Sequence, residues 1–105
     1  MEPDQTLLAK LPGRIQNASA RGHAYDCVSR SFCPKLTIPE DPVCGSAHCQ
    51  IAGYFSKELG KEEIKAYQAS KRGGELFCKV DGNGRIQICG QACLVMICDI
   101  FAQAF

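Results

Sequence analysis

The sequence lacks an apolar run long enough to cross a membrane. Its longest apolar stretch, residues 92–98, is followed by Asp99, whereas a membrane-spanning helix needs about 20 predominantly apolar residues. The opening residues, MEPDQTLLAK, lack the basic start and the apolar centre of a secretory signal peptide. We therefore expect a soluble protein that resides in the cytoplasm.

The sequence also lacks an excess of charge of either sign. Its 12 Lys and Arg residues are scattered and balance 11 Asp and Glu residues, for a formal net charge of +1. Proteins that bind nucleic acids or anionic membranes concentrate basic residues on one surface, so we expect neither partner. A length of 105 residues with 46% hydrophobic residues indicates one small globular domain.

Metal-ligand spacing is missing as well, although the chain contains eight cysteines. No pair of cysteines has the two-residue spacer of a zinc knuckle, and His23 and His48 form no paired-ligand pattern. Most of the cysteines lie among apolar residues, where Cys serves as a small hydrophobic side chain in a reducing compartment. The pattern favours buried free thiols for all but one of the cysteines and disfavours a zinc site.

The first part of the chain predicts short elements. Residues 4–10 form an amphipathic stretch that predicts a short helix, ended by the Pro-Gly pair that follows it. Residues 15–19 and 23–32 carry β-branched and aromatic side chains at intervals, which predicts two strands with a tight connection between them. Residues 34–42 contain three prolines and are predicted to form a loop.

A longer helix is predicted at Gly45–Leu59. Apolar residues leave almost no polar face in its first three turns, and a helix of that kind is expected to be buried nearly all round. Gly60 is placed to end the helix in a left-handed C-cap.

The remaining sequence predicts a sheet. Residues 64–70, Gly74–Val80, 85–89 and 92–101 all have strand composition, and the Asp-Gly-Asn-Gly run at residues 81–84 is a hairpin signal. The order of these elements predicts an α+β fold, in which a mostly antiparallel sheet wraps around one central buried helix.

The start of the long helix carries the residues with chemical potential. Its first backbone amides have no partners within the helix, and the helix dipole is positive there, so Gly45, Ser46 and Ala47 are predicted to hold a carboxylate or enolate oxygen. Cys44 would have its thiolate stabilised by the same field, as an acid/base thiol requires. Asp41 supplies a nearby carboxylate.

Each of these residues also has a structural interpretation. Asp41 could cap a turn before Pro42, Ser46 could cap the helix, and Cys44 could fill a gap. His48, on an apolar helix, is more often a core histidine than a catalyst. Local chemistry alone leaves the function open.

A wider set of residues resembles the signature of a known family. Residues 29–34 contain Ser29, Arg30, Phe32 and Pro34, and residues 38–48 read IPEDPVCGSAH. Together they resemble the signature block of the phenazine-biosynthesis-like family. The likeness covers roughly residues 18–97 and continues through Tyr54-Phe55, Leu59-Gly60-Lys61, Gln68-Ala69-Ser70, Arg72-Gly73-Gly74-Glu75-Leu76 and Gly90-Gln91-Ala92.

The resemblance implies a diaminopimelate-epimerase-like fold, in which two similar domains each wrap a sheet around a central helix and enclose the active site between them. It implies a cofactor-independent isomerase or epimerase, which moves a proton on a small carboxylate-bearing metabolite without metal or coenzyme, using one acid/base group from each domain. On this resemblance, residues 1–105 correspond to the C-terminal domain alone, and the family's N-terminal domain is absent.

The resemblance also assigns roles to residues. The predicted catalytic residues are Asp41, which handles or orients a proton, Ser46, which forms hydrogen bonds, and Cys44. Many family members have Thr where this chain has Cys44, while related racemases and epimerases place a catalytic thiol in a similar setting. Cys44 is therefore either a base or a small replacement for Thr. The predicted substrate-binding residues are Gly45, Ser46, Ala47, His48, Arg72 and Gly73.

Three functions remain open on the sequence. The first is half of an isomerase, completed by an N-terminal domain or by a second copy in a homodimer. The second is a non-catalytic module that binds small carboxylates or another protein. The third is a zinc-stabilised domain, which the cysteine spacing disfavours.

Overall fold

The computed structural model describes residues 2–103. Within that range it contains two α-helices, one 3₁₀ turn at Pro34–Leu36 and six strands in one sheet. The helices are α1 (Gln5–Lys10) and α2 (Gly45–Leu59), and the strands are β1 (Gln16–Arg21), β2 (Cys27–Cys33), β3 (Ile38–Asp41), β4 (Glu63–Gln68), β5 (Gly74–Val80) and β6 (Ile86–Gly90). The mixed α+β fold predicted from the sequence is confirmed.

The sheet has the strand order β1-β2-β4-β5-β6, with β3 also paired to β2. Strand β4 runs parallel to the first half of β2, and β3 runs antiparallel to its second half. The chain therefore leaves β2, turns through β3, crosses the sheet as α2 and returns as β4. This crossover places the start of α2 beside the ends of β3 and β4.

Helix α2 has the bounds that the sequence predicts, and Gly60 ends it with φ of 65°, in the left-handed region. The helix packs against β4, β5 and β6 through one face, which consists of Ala47, His48, Ile51, Ala52 and Phe55. The prediction that the helix is buried nearly all round is wrong. Tyr54 is 61% exposed, because the sheet covers only one side of the helix.

The predicted loop at residues 34–42 is wrong in its second half, which forms β3. Ile38 pairs with Cys33 and Asp41 pairs with Ser31, across a register shift in β2. Proline is tolerated here because β3 pairs with β2 alone, so that a missing N–H at its other edge breaks no ladder hydrogen bond.

The predicted strand at residues 92–101 is also absent from the structure, which assigns no regular element there. Strand composition alone does not make a strand, because a strand also needs a neighbour that accepts its backbone hydrogen bonds. The segment instead exposes six large apolar side chains, each by 74% or more. They are Leu94, Val95, Met96, Ile97, Ile100 and Phe101.

The hairpin predicted at residues 81–84 is confirmed. Asp81 N–H donates to the carbonyl of Arg85 at 2.9 Å, and Gly84 adopts φ of 79°. Neither helix found in residues 2–103 is long and apolar enough to cross a lipid bilayer.

Candidate active site

The residues at the start of α2 open onto a cavity. Cys44 is the N-cap residue and has extended dihedral angles, and its side chain forms no capping hydrogen bond. Apart from its chain neighbours and the backbone of the helix itself, no heavy atom of the described residues lies within 4 Å of the position that a Cβ at Gly45 would occupy. The first turn of α2 is therefore accessible to a ligand.

The cavity beside this turn has a volume of about 260 Å³. It is lined by Ile15, Asn17, Cys44, Ser46, Ala47 and Gln50. A water molecule occupies about 30 Å³ of liquid volume, so the cavity has room for a small organic acid. The structure brings together three predicted site residues here, namely Cys44, Ser46 and Ala47.

The thiol of Cys44 lies beside a hydroxyl group in this cavity. Cys44 is 5% exposed, and its Sγ lies 3.5 Å from Oγ of Ser46. The hydroxyl can donate a hydrogen bond to a thiolate at this position, or the thiol can donate to the hydroxyl. The pair can therefore hold or release a proton next to the helix amides.

Asp41 ends β3 and shapes the approach to the helix. Its Oδ1 accepts a hydrogen bond from the backbone N–H of Val43 at 3.1 Å. This is the turn-capping arrangement that the sequence left open as an alternative. Asp41 is half-buried and is not among the residues that line the cavity of Cys44.

His48 is enclosed in the core, with no exposed surface. Its Nδ1 lies 2.7 Å from the carbonyl oxygen of Cys44, and its Nε2 lies 3.3 Å from Oγ of Ser29. A carbonyl oxygen only accepts, so Nδ1 carries the proton, and a neutral ring then accepts from the Ser29 hydroxyl at Nε2. This geometry favours the core-histidine interpretation over direct substrate contact.

Arg72 and Gly73, the other predicted substrate-binding residues, lie in a different place. Both line a second cavity of about 510 Å³ together with Val43. Arg72 also lines a third cavity, of about 460 Å³, with Glu40 and Pro42. The structure therefore places these two residues outside the cavity of Cys44.

Gln68 and Ser70 are polar residues of this region to which the sequence analysis assigned no role. Gln68 has no exposed surface and contacts the backbone of both Asp41 and Cys44. The signal for it was its alternation with Ile64 and Ala66 in β4, which places an amide on the buried face of a strand.

The eight cysteines are all free, but four are exposed, so the expectation that all but one are buried is wrong. Cys27 and Cys78 lie in the core, where burial raises the pKa of each thiol to about 11, so both remain protonated at neutral pH. Cys49, Cys89, Cys93 and Cys98 are exposed. Within residues 2–103 no three Cys, His, Asp or Glu side chains form a group that could hold a metal ion.

Comparison with known proteins identifies the family. The family model described as phenazine biosynthesis-like protein matches residues 1–98. An uncharacterized isomerase of Pseudomonas aeruginosa is 47% identical over 93 residues, which are 89% of this chain and 35% of that protein. A phenazine biosynthesis-like domain-containing protein of Homo sapiens is 47% identical over 73 residues, which are 70% of this chain and 25% of that protein.

Solved structures agree with this match. A phenazine biosynthesis protein of the PhzF family from Enterococcus faecalis superposes with a TM-score of 0.74 at 42% identity, over 89% of this chain and 39% of that one. A putative PhzC/PhzF protein from Clostridium difficile gives a TM-score of 0.75 at 35% identity, over 92% and 39%. The chain thus spans about a third of the length of such relatives. It belongs to the phenazine biosynthesis-like protein family.

Proposed function

We propose that this chain supplies one half of the active site of a cofactor-independent isomerase or epimerase, which moves a proton on a small carboxylate substrate. The observation that carries this proposal is the open cavity at the start of α2, where Cys44 and Ser46 lie beside the first helix amides. Several relatives that share at least 41% identity with the chain are named isomerases.

The amides of Gly45, Ser46 and Ala47 are suited to binding the substrate carboxylate. Their N–H groups point out of the helix, and the partial positive charge of the helix start favours an anion. When a base removes the proton next to the carboxylate, negative charge moves onto the carboxylate oxygens. The same amides then stabilise that charge without having to reorganise.

On this side of the site, Cys44 transfers the proton. Asp41 orients the segment that leads to Cys44. A Cys44 thiolate can accept the carbon-bound proton to become a thiol, and the electron pair of the broken bond then resides on the substrate as an enolate. Return of a proton to carbon from the other half of the cleft completes the isomerisation. Ser46 stabilises the thiolate through its hydroxyl.

We propose that the second half of the site comes from another folded unit, and the large uncovered surface of the chain supports this. Its accessible surface is 7986 Å², whereas a compact monomer of this size exposes roughly 5,800 Å². Its radius of gyration is 16.2 Å, against about 13 Å for a compact domain of the same length. We propose that in the purified chain the covering unit is a second copy.

The proposal is tested by solvent deuterium incorporation into a panel of small amino and hydroxy acids. We expect the wild-type chain to exchange carbon-bound hydrogen of at least one acid. Replacement Cys44→Ala is expected to slow that exchange by about 100-fold or more, which is typical for loss of an acid/base group. Cys49→Ala is the matched control, because Cys49 is an exposed thiol on the same helix. Absence of exchange with every acid would rule out the catalytic function for this chain.

A non-catalytic carboxylate-binding module is the second candidate. It is favoured by Asp41, which holds a turn and lies outside the lining of the cavity. This candidate predicts that carboxylates shift the amide resonances of the first turn of α2 while no deuterium enters them. Measurement of both quantities on one sample separates the two functions.

A further inference from the structure

The segment that leads into α2 is held by a buried glutamine from β4. Gln68 Oε1 accepts the backbone N–H of Cys44 at 2.7 Å, and its Nε2 donates to the backbone carbonyl of Asp41 at 2.6 Å. The side chain has no exposed surface. One amide group therefore bridges the two ends of the turn that separates the proposed proton-transfer residues.

Other side chains hold the remaining backbone groups of this turn. Ser70 Oγ donates to the carbonyl of Pro42 at 2.7 Å, and Asp41 Oδ1 accepts from the N–H of Val43. The carbonyl of Cys44 receives the Nδ1–H of His48. Pro42 has no N–H to satisfy. The path of the chain from residue 41 to residue 44 is thus fixed by side-chain contacts and not by a regular ladder.

Gln68 is the member of this set that forms one accepted and one donated hydrogen bond through the same group. Bridging a carbonyl and an N–H requires one donor and one acceptor on the same group, which a neutral amide provides. A leucine of similar size would leave both buried backbone groups without partners. Such groups must then find water or shift, which changes the distance between Asp41 and Cys44.

Ser70 connects this turn to the loop that carries Arg72. Ser70 Oγ also accepts the backbone N–H of Gly73 at 3.0 Å. Val43 packs against Gly74 so closely that a Cβ at Gly74 would overlap it. The Arg72 loop and the entry to α2 are therefore fixed relative to one another.

We infer that Gln68 is a positioning residue of the active site, which sets the geometry of Asp41 and Cys44 through its two backbone hydrogen bonds. Its consequence for turnover rests on the proposed function. The effect of Gln68 on the backbone does not rest on the proposed function, because the N–H of Cys44 is protected from exchange only while the two hydrogen bonds of Gln68 are intact.

Three variants of the 105-residue chain test the inference. Gln68→Leu removes both hydrogen bonds, and Gln68→Glu keeps the acceptor for Cys44 N–H but loses the donor to Asp41 while the carboxylate is ionised. Gln87→Leu is the matched control, because Gln87 is an exposed glutamine on β6. The readouts are amide exchange of Cys44, kcat and KM for deuterium incorporation, and the pH dependence of kcat.

We expect Gln68→Leu to speed amide exchange at Cys44 by at least about tenfold, with exchange in β5 unchanged. We expect kcat to fall by about tenfold or more with KM within about threefold, which is the pattern of a group lost from the transition state alone. Gln68→Glu should recover as the pH falls, because a protonated carboxyl donates to Asp41 and restores both bonds. The Gln68→Leu variant should not recover at low pH, because a leucine side chain forms neither hydrogen bond.

Wild-type rates of Cys44 exchange and turnover in Gln68→Leu would overturn the inference. The same holds if Gln68→Glu shows the wild-type pH profile. If Gln68→Leu fails to fold, the comparison of Gln68→Glu at high and low pH decides the question. If the wild-type chain shows no turnover, the proposed function fails, and exchange at Cys44 alone decides whether Gln68 positions the segment.

Discussion

The imidazole Nδ1 of His48 lies 2.7 Å from the carbonyl oxygen of Cys44, one turn earlier along the chain. Its Nε2 lies 3.3 Å from Oγ of Ser29 in β2. The ring therefore connects the start of α2 to strand β2. This contact explains why a polar side chain with no exposed surface is tolerated in the core.

Replacement of His48 by alanine is expected to destabilise the fold. It creates a cavity and leaves the carbonyl of Cys44 without its side-chain partner, for a loss of about 3 kcal/mol in the free energy of unfolding. Chemical denaturation of both proteins measures the difference. The control is His23→Ala, since His23 is exposed and should change stability by no more than about 0.5 kcal/mol. Equal effects of the two substitutions would contradict the structural role of His48.

Alkaline pH is expected to weaken the fold through its buried thiols. Burial raises the pKa of Cys27 and Cys78 from 9.0 to about 11. Between these values the unfolded chain loses the thiol protons while the folded chain keeps them, so the thiols' contribution to stability is lost as the pH rises from 9 to 11. Thermal unfolding across this range should show a smaller fall for Cys27→Ala than for Cys98→Ala. The same slope for both variants would argue against burial of Cys27.

Glycine is required at position 73 for two separate reasons. Gly73 adopts φ of 74°, where an L-residue is strained by about 1–2 kcal/mol, and a Cβ there would overlap the hydroxyl of Tyr67. We expect Gly73→Ala to lower the free energy of unfolding, and addition of Tyr67→Phe to restore part of the loss. Gly82→Ala is the control, because no atom lies within 4 Å of its Cβ position. No recovery in the double variant would refute the overlap.

The exposed segment at residues 92–101 is expected to drive self-association. Val95 is 90% exposed and Ile97 is 83% exposed, and apolar patches of this kind mark interaction surfaces or sites of aggregation. The double replacement of both residues by lysine should convert a dimer into a monomer, as measured by light scattering after size exclusion. Gln91→Lys adds one positive charge nearby without removing an apolar side chain and should leave the dimer intact. A wild-type monomer would contradict the proposed pairing.

The sequence predicted those features that depend on neighbouring residues. Helix α2 was predictable because apolar residues dominate its first three turns and Gly60 stops it. The hairpin at residues 81–84 was predictable because its glycines and Asn83 tolerate positive φ. The cavity-lining role of Cys44 and Ser46 follows in the same way, from their place at the start of a helix.

Features that depend on distant contacts were not predictable. Strand β3 contains Pro39 and forms because β2 offers it an edge. Residues 92–101 have strand composition but form no regular element. The bridge made by Gln68 joins residues 24 positions apart in sequence. Only the crossover through α2 brings the end of β4 to the start of the helix.

The central claim is that the first turn of α2 binds a carboxylate, and amide resonances measure it most directly. Titration with a small carboxylic acid near neutral pH should shift the amides of Gly45, Ser46 and Ala47 in a saturable way. The uncharged amide of the same acid should leave them unchanged, because the helix start favours a negative charge. Shifts that are absent, or equal for the acid and its amide, would contradict the account.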